Sequence, residues 1–119
     1  MKNKKLIGKL GEDKSVEYLE NNNYEIIDRN YKCRFGEIDI IATDKETNEL
    51  VFIEVKTRTN LNYGMPIEAI NIEKIKHIKS SINYYIINKK ILNMDIRIDA
   101  IEVLIKEKTC YIHHVKCII

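Results

Sequence analysis

Apolar positions recur along this chain with two different periods, and the switches between them mark out its elements. In GEIDIIATDKETNELVFIEVKTR, residues 36–58, two apolar runs flank a polar turn. That is the pattern of a β-hairpin, with strands at 36–43 and 50–57. Upstream, residues 3–22 predict a helix and YEIIDRN at 24–30 a short strand. Downstream, Ile72, Ile75, Ile78, Ile82 and Ile86 recur at helical spacing and predict a second helix over 71–89. NYGMP at 62–66 reads as a break between the two halves. DIRIDAIEV at 95–103 alternates and predicts a strand, and TCYIHHVKCII, joined through KEK, predicts a last strand over 109–117. The order α-β-β-β-α-β-β predicts an α/β layer fold, a mixed central sheet flanked by helices.

The hairpin also predicts its own register. Pairing symmetric about DKETNE sets Thr43 opposite Leu50, Ala42 opposite Val51, Ile40 opposite Ile53 and Ile38 opposite Val55. Ile38, Ile40 and Ala42 then share an aliphatic face that must pack on a helix. The other face pairs Ile41 with Phe52, Asp39 with Glu54 and Glu37 with Lys56. It is apolar at the turn end and charged at the far end. Opposed carboxylates cost about 0.2–1 kcal/mol even when exposed. Protonation of one acid, neutralisation by Lys56 or a bridging divalent cation would each relieve that cost. A solvated charged end beside a salt bridge is the plainer alternative.

A third acid points the same way. On the first helix Lys9, Asp13, Glu17 and Glu20 form a polar arc, while Ile7, Gly8, Gly11, Ser15, Val16, Tyr18 and Leu19 form a packing arc. Glu12 falls inside the packing arc and needs a partner there. Either it reaches the Asp39–Glu54 end of the sheet, or it lies at the stripe's edge or on a structural Arg. Gly8 and Gly11 are expected to let the helix approach the sheet.

Composition narrows the setting. The chain has 119 residues, 45% apolar and 32% charged, with one Pro and four Gly, which predicts one globular domain over 1–119. A net charge of +2 is compatible with nucleic acid without arguing for it. The basic start has no apolar core of signal-peptide length, and no window approaches a membrane span. The expectation is a cytoplasmic protein, with no membrane partner, whose three cysteines stay reduced.

Asp39, fourteen intervening residues and then Glu54-Val55-Lys56 resembles the PD-(D/E)XK nuclease signature. The order of strand, turn, strand, with a helical Glu before and a helix after, resembles the restriction-endonuclease-like core. The helical Glu is similar to that of archaeal Holliday junction resolvases. Across nearly the whole chain, GE with YL at 11–19, NYKCRFGEIDIIA at 30–42, LVFIEVKTR at 50–58, YGMPIEAI at 63–70 and RIDAIEV at 97–103 resemble the bacterial YraN family. The resemblance implies the nuclease-like fold and a site of Glu12, Asp39, Glu54 and Lys56, with the main-chain carbonyl of Val55 as a further metal ligand.

Hydrolysing a phosphodiester requires an activated water and relief of charge on phosphate. Mg²⁺ or Mn²⁺ on Asp39 and Glu54, with Glu12 bound directly or through water, suits both needs. Lys56 projects beside Glu54 to orient water or steady phosphate charge. Arg34, Arg58, Lys32 and Arg29 flank the strands, and Lys74 lies near the rim of the second helix's apolar stripe. All five are candidate phosphate contacts, though each singly reads more simply as a solvated charge. Tyr31 and Tyr63 either stack on bases or cover the core edge, and covering is the expectation. CYIHHVKC at 110–117 invites zinc, but a strand sets Cys110 and His114 on one face and His113 and Cys117 on the other.

The leading functional expectation is therefore a metal-dependent nuclease-like protein acting on DNA, with branched or damaged DNA as the candidate form. A non-catalytic nucleic-acid or protein-binding module on the same fold is the alternative, and a purely structural ion-pair cluster a third. The last strand, near the end of the topology, offers an edge for a second copy or another protein.

Overall fold

The computed structural model describes residues 4–59 and 72–119. In order they form α1 (Lys4–Asn21), β1 (Tyr24–Cys33), β2 (Gly36–Asp44), β3 (Glu49–Arg58), α2 (Ile72–Asn88), β4 (Ile96–Lys106) and β5 (Thr109–Val115). The predicted element order is borne out. The break at 62–66 and Tyr63 lie outside the described residues.

The five strands make one sheet in chain order. The pairs β1–β2, β2–β3 and β4–β5 are antiparallel, and β3–β4 is parallel. Parallel neighbours cannot be joined by a tight turn, and α2 lies within the connection between β3 and β4. The fold is thus a mixed α/β sheet with a helix on each face. On the α1 face Leu19 packs with Ile40, Ala42, Val51, Ile53, Ile101 and Val103. On the α2 face Ile78, Ile82 and Tyr85 pack with Ile38, Ile41, Phe52 and Ile98. No helix among the described residues is long and apolar enough to cross a membrane.

The hairpin register is as predicted from Thr43–Leu50 through Ile40–Ile53, where the β2–β3 ladder stops. One expectation fails just beyond that point. Ile38 belongs with Ile41 on the α2 face, not with Ile40 on the α1 face. Strict alternation breaks at Asp39, where the ladder has parted. The neighbouring strand is distorted too. β1 carries one extra residue between Ile26 and Asp28 relative to β2. Asn30, which falls opposite Asp39, has φ 52°, a left-handed conformation that Asn tolerates better than most side chains. With these adjustments β1 runs on to Cys33, beyond the expected 30, and turns through Arg34-Phe35. Gly36, with φ 146°, closes that turn in a region open mainly to glycine.

The stripe on α2 is also displaced from the isoleucine repeat. Ile78, Ser81, Ile82 and Tyr85 are buried, whereas Ile72 is 73% exposed. β5 ends at Val115, short of the expected 117, because the chain then bends back. Cys117 N–H donates to Asp99 Oδ1 (3.0 Å) and Ile118 N–H to the Ile98 carbonyl (2.8 Å).

At the turn end of the α1 face lies a buried polar network that alternation in β4 conceals. Arg97 is 8% exposed and Asp99 fully buried. Arg97 donates to both Asp99 oxygens (2.9 and 3.0 Å), to Asp44 Oδ2 (2.9 Å), to Glu49 Oε1 (2.9 Å) and to the Tyr24 hydroxyl (2.7 Å). His114 Nε2 lies 2.7 Å from Asp99 Oδ2, and its Nδ1 3.0 Å from the Tyr18 hydroxyl. With the proton on Nε2, the imidazole donates to Asp99 and accepts from Tyr18, so each ring nitrogen is satisfied. A buried charge is tolerable only with such partners.

Arg97→Met would leave Asp44 and Asp99 buried without their cation. It should lower the unfolding free energy by about 3–5 kcal/mol, measured by urea denaturation at pH 7. Burial raises both acids, but bonds from His114 and Arg97 to Asp99, and chiefly from Arg97 to Asp44, outweigh it and hold both below the usual carboxylate value. A depressed acid contributes stability that is complete above its unfolded pKa and lost as pH falls through its folded one. Wild type should therefore weaken steadily below about pH 4, and Arg97→Met should weaken less over that range. Equal stability of the two proteins at pH 7 would remove the network from the fold's support.

Candidate active site

The candidate site forms at the other end of the sheet, where β2 and β3 separate. Asp39 Oδ2 accepts the Val55 N–H at 2.8 Å, so a side chain takes up a main-chain donor where the ladder has ended. The Asp39 carboxyl is pushed up to about 7, first by burial and then by Glu54; the Val55 bond only partly offsets this, and Glu12 and Glu37 add to it. Glu54, on β3, is 8% exposed, and its Oε1 receives Lys74 Nζ from α2 at 2.8 Å. Burial works against the Lys74 charge, but the bond to Glu54 outweighs it and raises the ammonium above its usual value. Lys56 moves the other way. Burial and the neighbouring Lys74 lower it, against the pull of Glu54 and Asp39.

Of the two ways of satisfying Glu12, the structure contains the ion pair. Its Oε1 receives Arg29 Nε (3.1 Å), Arg29 Nη2 (2.9 Å) and Asn30 Nδ2 (2.9 Å). Arg29 also reaches Asp13 Oδ1 at 2.6 Å, so it ties α1 to β1 rather than facing solvent alone. Glu12 nevertheless lies on the same groove as Asp39 and contributes to its field. Helix α1 reaches this position because Gly11 sits directly on Thr57 of β3, where a Cβ would overlap the threonine side chain. The expectation for Gly8 is not met among the described residues, none of which lies within 4 Å of where its Cβ would be.

Part of this set borders an open groove of about 1340 Å³, whereas Glu54 and Lys74 lie outside its lining. Asp39, Glu12, Glu37, Val55 and Lys56 line it, and so do Lys32 and Arg58. Arg58 Nε is buried with no hydrogen-bond partner among the described residues, a donor for which an anion would be a natural acceptor. Arg34 lies outside the groove's lining, at the β1–β2 turn, with its guanidinium 4.8 Å over the Phe35 ring. Tyr31 covers the core as expected, edge-on to Tyr85 at 5.0 Å.

Asp39 and Glu54 offer the hard oxygen donors that Mg²⁺ and Mn²⁺ prefer. An acid held near 7 by burial and by a second acid is a group that a divalent cation would relieve, so the donor set fits such an ion. As placed, no three His, Cys, Asp or Glu side chains among the described residues form a ready metal-holding group. A cation on Glu54 would have to displace the Lys74 ammonium. Cys110, His113 and His114 are split as the strand implies, but Cys117 lies beyond the end of β5, where its N–H turns back to Asp99. Cys110 packs on the α1-face core, His114 on Asp99, and His113 lies 3.3 Å from Glu102.

Lys74 and Arg97 are the important groups that pattern reading undervalues. Each had a signal. Lys74 stands four residues before Ile78 on the buried stripe of α2, and Arg97 and Asp99 share a β4 face with Ile101 and Val103.

The Asp39 shift has a consequence without any ligand. An acid with a raised folded pKa is destabilising once ionised, so its effect grows as pH rises from about 4 to about 7. Asp39→Asn keeps an acceptor for Val55 but cannot ionise. The metal-free variant should be more stable than wild type at pH 8 and nearly equal to it at pH 4, measured by chemical denaturation. Parallel pH profiles for the two proteins would contradict the burial of Asp39 and its proximity to other acids.

The profile of the uncharacterised protein family UPF0102 matches residues 11–103. A UPF0102 protein of Dictyoglomus turgidum is 45% identical over 106 residues, covering 89% of this chain and 88% of that one. A UPF0102 protein of Clostridium botulinum is 49% identical over 100 residues, covering 83% and 80%. One of Caldicellulosiruptor saccharolyticus is 45% identical over 106 residues, covering 89% and 88%. The profile begins at Gly11, the glycine against Thr57, and spans Glu12, Asp39, Glu54 and Lys56. The chain belongs to the YraN-like family UPF0102.

Proposed function

We propose that this protein is a metal-dependent, nuclease-like hydrolase of DNA phosphodiesters, built on a restriction-endonuclease-like core of the PD-(D/E)XK type. The observation that carries the reading is that Asp39 and Glu54 act on each other and on Lys56, with Asp39 and Lys56 lining an open groove that also holds Lys32 and Arg58. A structural ion-pair cluster has no need of a groove, or of an acid left near 7.

In this reading Asp39, Glu54 and the Val55 carbonyl hold Mg²⁺ or Mn²⁺, with Glu12 as a direct or water-mediated ligand. The bound ion supplies an acidic water and charge relief on the phosphate. Lys56 orients that water or stabilises the developing charge; burial and Lys74 ease loss of its proton, which suits either role. Arg58 and Lys32 contact flanking phosphates, and Lys74, released from Glu54, becomes available to do the same. Attack by water oxygen on phosphorus breaks one P–O ester bond and leaves a phosphomonoester and a hydroxyl. Branched or damaged DNA in repair or recombination is the candidate substrate, which would put the reaction in the cytoplasm.

One observation favours a second reading, a non-catalytic nucleic-acid or protein-binding module. Glu54 is already paired with Lys74, and Glu12 with Arg29 and Asn30, so the acids have protein partners. The sheet edges β1 and β5 would then serve a second copy or another protein.

Mn²⁺ should raise the melting temperature of wild type and leave Asp39→Ala and Glu54→Ala unmoved. Linear, flapped and four-way DNA incubated with Mg²⁺ or Mn²⁺ test cleavage directly. Lys56→Ala should keep the metal-induced stabilisation and lose about a hundredfold or more in cleavage rate. Cleavage at the wild-type rate by Lys56→Ala removes the catalytic assignment. Absence of cleavage on every substrate, with binding retained, favours the binding module.

A further inference from the structure

The β1–β2 turn stands one residue pair beyond the groove. Lys32 and Glu37 face each other across β1 and β2 and both line it, Cys33 and Gly36 form the next pair, and Arg34-Phe35 closes the hairpin. The turn has anchors other than its two tip side chains. Cys33 Sγ donates to the buried Ser81 Oγ at 3.6 Å, and a Cβ at Gly36 would touch Ser81 and His77 of α2. The positive φ of the turn falls on Gly36 and not on Arg34 or Phe35. The backbone therefore does not dictate an arginine and a phenylalanine here, and small polar residues are the ordinary choice for such a tip. What stands there instead is a layered cluster. The Arg34 guanidinium lies 4.8 Å over the Phe35 ring, and Phe35 meets the ring of Tyr84 on α2 at 6.0 Å and 61°. Arg34 is exposed, and Tyr84 is 41% exposed. A cation on a ring at an exposed site adds little to stability. Its effect is to hold a long side chain in place at the surface, which lowers the cost of ordering it against a ligand.

We propose that Arg34, backed by Phe35 and Tyr84, is a stacking platform for an unpaired base of a DNA strand whose phosphates run through the groove beside Lys32. A guanidinium is planar, so it can stack on a base with one face while an aromatic ring supports the other. The inference rests on the nuclease-like reading for the path of the strand, and adds how a single-stranded segment is told from a duplex. Within a duplex the bases are stacked on one another and offer the platform no free face. Arg34 acts on a base and not on a phosphate, in keeping with its place outside the groove's lining.

The test uses the full chain without divalent metal and measures anisotropy of three fluorescein-labelled DNAs over a range of salt. They are a blunt duplex, the same duplex with a single-stranded flap, and the same flap made of abasic residues. Wild type should bind the base-bearing flap more tightly than either of the others, by about fivefold or more, as expected for one stacked base. Arg34→Lys keeps the charge and loses the planar group. It should bind the base-bearing flap as wild type binds the abasic one, with its affinity for the blunt duplex and the salt dependence of binding unchanged. Wild type that binds the two flaps equally overturns the inference alone, and this comparison involves no altered protein. Arg34→Lys that keeps the wild-type preference for bases also overturns it. So does Arg34→Lys that weakens on all three DNAs alike, which would make Arg34 a phosphate contact or a support of the fold. A wild type that binds none of the three overturns the inference and the nuclease-like reading together.

Discussion

The parting of the β2–β3 ladder after Ile40–Ile53 is the constraint around which the rest of this molecule is arranged. An antiparallel pair continued to Glu37 and Lys56 would be an ordinary hairpin with its charges on one flat face. Instead the Asp39 carboxylate accepts from Val55 N–H, so a side chain is bound into the sheet where the main chain withdraws. That exchange fixes the carboxylate in place and shields it from water. It also reverses Ile38 onto the α2 face, and it coincides with the left-handed Asn30 that turns its amide toward Glu12. The interrupted ladder, the burial of Asp39 beside Glu54 and the close seat of Gly11 on Thr57 together shape the open end.

The two ends of the sheet resolve buried charge in opposite ways. At the turn end Arg97 meets Asp44, Asp99 and Glu49, Tyr24 completes its donors, and His114 completes Asp99. Asp44 and Asp99 there gain stability from being charged. At the open end Asp39 is held where its charge is disfavoured, and Lys56 is similarly driven toward its neutral form. A fold that can satisfy three acids with one guanidinium at one end, and leaves an acid and a lysine poised at the other, concentrates its unsatisfied chemistry where solvent can enter.

Much of this was legible in residue order. The hairpin register and the anomaly of Glu12 follow from periodicity alone, because alternation in a strand and the helical repeat are geometric necessities. The cation for Glu54 was not legible as such, since Lys74 comes from the far side of the β3–α2–β4 crossover and only the parallel register brings it near. Arg97 and Asp99 were hidden for a related reason. A charge at an alternating position reads as solvent-facing unless the strand is known to be covered on both sides, as β4 is. Ile38 was misplaced because alternation was extended through a residue at which the strand stops alternating.

Asp99 also bears on how the chain reaches this state. Its oxygens are shared among Arg97 in its own strand, His114 in β5 and the Cys117 N–H beyond it. Until β5 docks, the core must either exclude this carboxylate or leave it short of partners. The β3–β4 pairing already requires closure of a long loop, which slows folding on entropic grounds. Assembly of the α1 face and docking of β5 are thereby coupled into one late cooperative step, and a partly synthesised chain that lacks β5 gains little by forming the sheet early.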